Sequence, residues 1–210
     1  MTPLYSDEEI AVAVKPRGAL SEEGESGSFP ALLREALGGE IYPVHRLDRE
    51  TAGVMVYARN ARAAAALSRM IAEGRFHKEY LAVAHGSPAQ EKGELTDLLF
   101  FDRRSGKVYP VKRQRKGVKE ARLRYRVLAE KEGLALLSVT PLTGRTHQIR
   151  VQFASRNHPL FGDRKYGGAG DGFGLWAHRI RFCHPVTGEE MVFTSRPDPV
   201  PPWTLFEEWI

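Results

Sequence analysis

The sequence is poor in residues that build covalent or metal-held frameworks. A single cysteine, Cys183, among 210 residues rules out an internal disulfide and a cysteine-rich zinc site. The chain is therefore expected to need neither an oxidising compartment nor a structural metal, and to work in the cytoplasm. Long apolar runs are missing too: no stretch approaches the ~20 apolar residues of a membrane span. The first ten residues lack the basic start and apolar core of a secretion signal, so no membrane partner is expected. There is no Gly-x-x-x-x-Gly-Lys-Ser/Thr loop and no Gly-x-Gly-x-x-Gly opening a helix, which removes nucleotide-triphosphate and dinucleotide chemistry. The seven histidines never take His-Glu-x-x-His spacing, and no Gly-x-Ser-x-Gly elbow occurs. No cofactor and no metal are expected.

What is present is charge, unevenly spread. The net charge is +5, and residues 103–126 hold eleven Lys and Arg against one acid, Glu120, whereas residues 21–28 are acidic and are expected to form a flexible loop. Such segregation suits a polyanionic partner, with the basic segment binding phosphates. In residues 121–127, Ala121, Leu123, Tyr125 and Val127 alternate with Arg122, Arg124 and Arg126, a period of two that predicts a strand with one apolar and one basic face. That face reads equally as an RNA contact or as an ordinary solvated strand surface.

Hydrophobic periodicity predicts further strands over residues 10–14, 53–59, 77–85, 134–140 and 174–183. A helix is expected over 30–37, stopped by Gly38-Gly39, and an Ala-rich helix after Asn60 as N-cap, closed by Gly74. A short helix over 147–155 would take Thr146 as its N-cap, with Ile149 and Phe153 on one face. A Pro-rich coil near 197–202 leads to an amphipathic tail through Phe206 and Trp209. No internal repeat appears. With strands and helices interspersed and several strand-to-strand steps, the expected fold class is α+β: a mixed, largely antiparallel β-sheet with flanking helices. Without a break in composition, residues 1–210 are read as a single domain.

One constellation invites chemistry: Asp48, flanked by Arg46 and Arg49, with a second cationic cluster at Arg145-Thr146-His147-Gln148-Ile149-Arg150. Taken alone, such an Asp reads as a surface ion-pair member.

The wider context changes that reading. His45-Arg46-Leu47-Asp48-Arg49-Glu50-Thr51-Ala52-Gly53 resembles the signature of the RluA family of pseudouridine synthases. Lys15-Pro16-Arg17-Gly18 is similar to that family's Lys-Pro-x-Gly loop, and Lys78-Glu79-Tyr80-Leu81 to its Lys-x-Tyr strand. Gly144-Arg145-Thr146-His147-Gln148-Ile149-Arg150 follows, then His158-Pro159-Leu160, Gly162-Asp163, Tyr166-Gly167 and the His184-Pro185-x-Thr187-Gly188 turn, in the family's order. The resemblance covers roughly residues 10–199 and leaves no room for the family's S4 RNA-binding domain. Ala52, where Ser is commoner, is a small departure.

The resemblance implies a pseudouridine synthase catalytic fold with a central active-site cleft. It also implies isomerisation of uridine to pseudouridine in structured tRNA or rRNA. The chain is expected to act as a monomer with no obligate protein partner. Asp48 would be the catalytic carboxylate, acting by addition to C1′ or by removal of the C2′ proton. Arg150 would pair with it and hold it ionised, and Tyr80 would stack on the uracil and assist at C5. The target base would be flipped from its stack, with Arg46 entering the RNA. His45, Lys78, Arg145 and His147 would make further RNA contacts. Two alternatives from other classes stand beside this: a non-catalytic RNA-binding module on the same scaffold, and a nucleoside or glycoside hydrolase using Asp48 with Glu50.

Overall fold

The computed structural model describes residues 2–24 and 27–210. Of the acidic stretch 21–28, Glu25 and Ser26 lie outside the described residues. In chain order the elements are β1 (Tyr5–Ser6), β2 (Ile10–Lys15), α1 (Phe29–Leu37), β3 (Tyr42–Pro43), β4 (Ala52–Ala58), α2 (Ala61–Ala72) and β5 (His77–His85). There follow β6 (Lys92–Asp102), β7 (Lys107–Val111), β8 (Val118–Lys131), β9 (Leu134–Pro141), α3 (Gln148–Ala154), β10 (Leu175–Cys183) and β11 (Glu190–Thr194). Arg164–Tyr166 and Trp203–Trp209 are short 3-10 segments. Within each of the two units described below, the strands pair antiparallel except for β4 with β10, which run parallel, giving the mixed, mostly antiparallel α+β architecture read from the sequence.

Contacts divide the chain into two compact units: Met1–Lys78 with Trp176–Pro197, and Glu79–Leu175 with Asp198–Ile210. In the first unit, β4 is flanked by β2 and β10, with β1 on β2, β11 on β10 and β3 on β4. Every residue of β4 is buried, which accounts for its unbroken apolar run. Val54, Val56 and Ala58 meet Ala63, Leu67 and Met70 of α2, while Tyr57, pointing to the other face, packs edge-on against Phe29 at the start of α1. The Asn60 side chain accepts from the Ala63 amide, as expected of the α2 N-cap, and α1 ends at Gly38. Gly53 is required where it stands. At φ +127° a Cβ would lie 2.3 Å from the Ala177 carbonyl oxygen, so only glycine admits the parallel approach of β10.

In the second unit β5, β9, β8, β6 and β7 lie side by side, each antiparallel to the next. Ala121, Leu123 and Tyr125 are buried while Arg122, Arg124 and Arg126 are exposed, so the period of two in β8 is real. Glu94 of β6 binds both Arg122 and Arg124, and the two guanidinium groups hold its carboxyl below the usual range. Part of the basic face is thereby neutralised. The C-terminal tail packs against β8 through Trp203–Trp209, burying Trp203 and Phe206.

Two expectations need correction. The N-cap of α3 is His147 rather than Thr146, in the left-handed region at φ 50°, and no side chain caps the helix. Hydrogen bonds from Gln148 fix the chain there instead. Its Oε1 accepts from the Thr143 hydroxyl and the Arg145 amide, and its Nε2 donates to the Arg122 carbonyl. The polar segment after residue 90 also holds two strands not foreseen, β6 and β7, because half-exposed strands with mixed side chains lack a clean alternation.

Candidate active site

In the first unit Asp48 sits in the loop between β3 and β4, and both of its neighbours are tied down. On one side, the buried Ser21 hydroxyl donates to the Leu47 carbonyl at 2.9 Å and accepts from the Leu47 amide at 3.2 Å. Ser21 is held in turn by the Tyr57 hydroxyl donating to its carbonyl. On the other side, the Arg49 carbonyl accepts from the Gly18 amide at 2.8 Å and from Lys15 Nζ at 3.2 Å. Lys15, fully buried, also donates to the carbonyls of Pro16 and Ala19. Burial pushes its ammonium down to about 8, against the upward pull of Glu50 and Asp48. The Thr51 amide closes the turn on the Asp48 carbonyl. A carboxylate on so pinned a backbone is positioned before substrate arrives.

Arg46, beside this turn, is exposed and forms an ion pair with Glu22 at 3.1 Å. Glu50, the second carboxylate of the hydrolase alternative, is bound by Arg17 at 2.9 Å. His45 and Lys78 gather around Phe76: the His45 ring lies 5.2 Å from that ring and Lys78 Nζ 5.6 Å from its centroid. His45 Nε2 accepts from the Val56 amide, and burial followed by the charge of Lys78 keeps the imidazole well below its usual pKa. It is a neutral ring at pH 7, so any contact it makes with RNA is not that of a cation. Burial alone lowers Lys78 to about 8.

In the second unit, Tyr80 on β5 is 8% exposed and stands opposite Val139 of β9. Arg150 on α3 is almost wholly buried. Its Nε and Nη2 donate to Asp163 at 2.7 and 2.8 Å, and its guanidinium lies 5.2 Å from the Tyr166 ring and 5.3 Å from the Phe173 ring. His147 Nδ1 lies 2.8 Å from the Tyr166 hydroxyl, which also accepts from the Val108 amide. Arg145 donates from Nε to the Glu120 carbonyl. The structure thus joins Arg150 and His147 through Tyr166, and His45 and Lys78 through Phe76. Asp48 belongs to the first unit, Tyr80 and Arg150 to the second.

The sequence names Asp163 and Tyr166 only as parts of a motif string, and Ser21 and Glu22 only as parts of the acidic stretch 21–28, of which Ser21 is in fact buried. Each partnership joins residues with no periodic relation, such as Ser21 with Leu47, so no local pattern announces it. Among the described residues no group of three His, Cys, Asp or Glu is placed to hold a metal ion, and no helix is long and apolar enough to cross a membrane.

The chain as a whole is similar to known proteins. The human RNA pseudouridylate synthase domain containing 1 superposes with a TM-score of 0.81 at 25% identity, over 99% of this chain and 87% of that one, which places the fold among pseudouridylate synthase domains. The family model described as RNA pseudouridylate synthase matches residues 9–155, and the chain belongs to that family. It is 37% identical to an uncharacterized RNA pseudouridine synthase of Aquifex aeolicus, over 90% of this chain and 67% of that relative. It is 32% identical to the tRNA pseudouridine synthase C of Vibrio vulnificus, over 98% of this chain and 95% of that relative. The chain is accordingly an isomerase acting on RNA.

Proposed function

We propose that this pseudouridine synthase modifies uridine in folded tRNA, with Asp48 as its catalytic carboxylate and with residues 1–210 acting as a single catalytic domain. The observation that carries the reading is the doubly pinned turn, with Lys15 and Ser21 fixing the backbone on either side of Asp48. The reaction conserves atoms and electrons. The N1–C1′ bond breaks, the detached uracil turns, C5 joins C1′, and the C5 proton leaves while N1 gains one. Asp48 supplies the anion at the sugar, and Tyr80 supplies the flat surface that retains the uracil and assists the loss of the C5 proton. Arg150 orients the carboxylate, since a guanidinium favours its charged form.

The target must leave its stack, at roughly a few kcal/mol, and Arg46 compensates for the vacancy. His45, Lys78, Arg145 and His147 line the approach of the RNA, and the basic 103–126 segment adds phosphate contacts. Transfer RNA is favoured over rRNA because relatives called tRNA pseudouridine synthase C align over 89–95% of their own length. The enzyme acts as a cytoplasmic monomer in this reading. Pseudouridine mapping in tRNA and rRNA from a strain lacking the protein tests it: one tRNA uridine should stay unmodified and regain modification when purified protein is added. Loss confined to rRNA would refute the substrate assignment.

A further inference from the structure

Asp163 has no role in the reaction as described so far, yet its carboxylate is among the most thoroughly enclosed charges in the chain, 1% exposed and paired with an Arg150 side chain 5% exposed. Enclosing two charges is a poor way to stabilise a fold, because desolvation consumes what their attraction returns. The geometry is also specific. Asp163 takes the Nε–Nη2 edge of the guanidinium with two bonds, and the rings of Tyr166 and Phe173 hold its plane. Asp163 thereby sets the orientation in which the rest of the guanidinium is presented.

The loop that carries Asp163 is itself fastened to the strand of Tyr80. The Phe161 amide donates to the Val83 carbonyl, the His85 amide donates to the Pro159 carbonyl, and Leu160 bridges Ala84, all on β5. The Asp163 amide donates to the Leu160 carbonyl, and the Asp163 carbonyl accepts from the amides of Tyr166 and Gly168. A Cβ at Gly168 would fall 1.8 Å from the Leu160 carbonyl oxygen, so the turn closes only on glycine. A continuous chain of hydrogen bonds therefore runs from β5 through Asp163 to the guanidinium.

We infer that Asp163 is a positioning residue of the isomerisation, fixing the orientation and balancing the charge of Arg150 so that Arg150 aligns the catalytic carboxylate without binding it too tightly. This rests on the proposed roles of Arg150 and Asp48. A carboxylate meeting Arg150 beside Asp163 meets a pair of zero net charge. Beside an Asn it would meet an unbalanced cation and would be held ionised to lower pH.

The test measures tritium released from 5-tritiated uridine in tRNA taken from a strain lacking the protein, across pH. Asp163→Asn should lower kcat at least about tenfold, leave KM within about twofold, and move the acidic limb of the kcat profile to lower pH. Asp163→Glu, which keeps the charge and displaces the guanidinium, should lower kcat measured per folded molecule, and it decides the matter if the Asn variant does not fold. Wild-type kcat in the Glu variant, or a reduced kcat in the Asn variant with an unmoved acidic limb, overturns the inference. Arg150→Lys is measured alongside. If it keeps wild-type kcat, the role of Arg150 itself fails. If it is inactive while the Asp163 variants are unimpaired, only the inference about Asp163 falls.

Discussion

The guanidinium of Arg46 lies 3.1 Å from the carboxylate of Glu22, in a pair whose members are each more than half exposed. The side chain proposed to enter RNA is thus held by an acid that competes with phosphate. Such a pair is worth at most about 1 kcal/mol, so Glu22→Gln should tighten RNA binding up to about fivefold at low ionic strength and by less at high salt. Arg46→Ala should weaken it. Filter binding across salt concentrations checks both, and an unchanged affinity in Glu22→Gln would show that the pair does not restrain Arg46.

The basic segment should not contribute evenly. Arg122 and Arg124 share Glu94, so removing them gives up charge of which half is already balanced. Arg113→Ala with Lys116→Ala should reduce the slope of log affinity against log salt by about 0.7 per residue if each contacts a phosphate. Arg122→Ala with Arg124→Ala should change it less. Equal changes in the two pairs would contradict this assignment.

Much of this was legible beforehand. The apolar run of β4, the period of two in β8 and the Asn60 cap announce themselves locally, and the structure keeps them. What escaped was relational. The Arg46–Glu22 pair, the Ser21 contact with Leu47 and the Arg150–Asp163 fork each join side chains whose meeting depends on the tertiary path of the chain. The left-handed His147 escaped for a related reason: Thr146 has the chemistry of an N-cap, but the hydrogen bonds of Gln148 set the backbone of its loop.

Lys78 gives the fold a pH signature. Its folded-state value is about 8 against 10.5 for a solvated lysine, so keeping it charged in the fold is a cost that is fully present below pH 8. Between about pH 8 and 10.5 the unfolded chain binds the proton that the folded one has released, and stability rises with pH, by roughly 1–3 kcal/mol in all. Lys78→Met should flatten that rise, leaving the parallel contribution of Lys15. Urea unfolding at pH 7.5, 9 and 10 measures it, and identical slopes in variant and wild type would refute the assignment.

Gly53→Ala should be severe, because the added methyl meets the Ala177 carbonyl at 2.3 Å and the backbone lies at φ +127°. We expect a loss of more than about 2 kcal/mol and, since Gly53 follows the Asp48 loop, a loss of activity beyond the loss of folded protein. Thermal melts with activity measured per folded molecule separate the two.

The most direct test is Asp48→Asn. The replacement keeps the size of the side chain, removes the anion and exchanges one accepting oxygen for a donating amide, on a backbone that Lys15 and Ser21 continue to hold. The account predicts pseudouridine formation in tRNA reduced at least about 100-fold, with RNA affinity within about twofold of wild type. Pseudouridine formed at a near wild-type rate by the purified variant would contradict it.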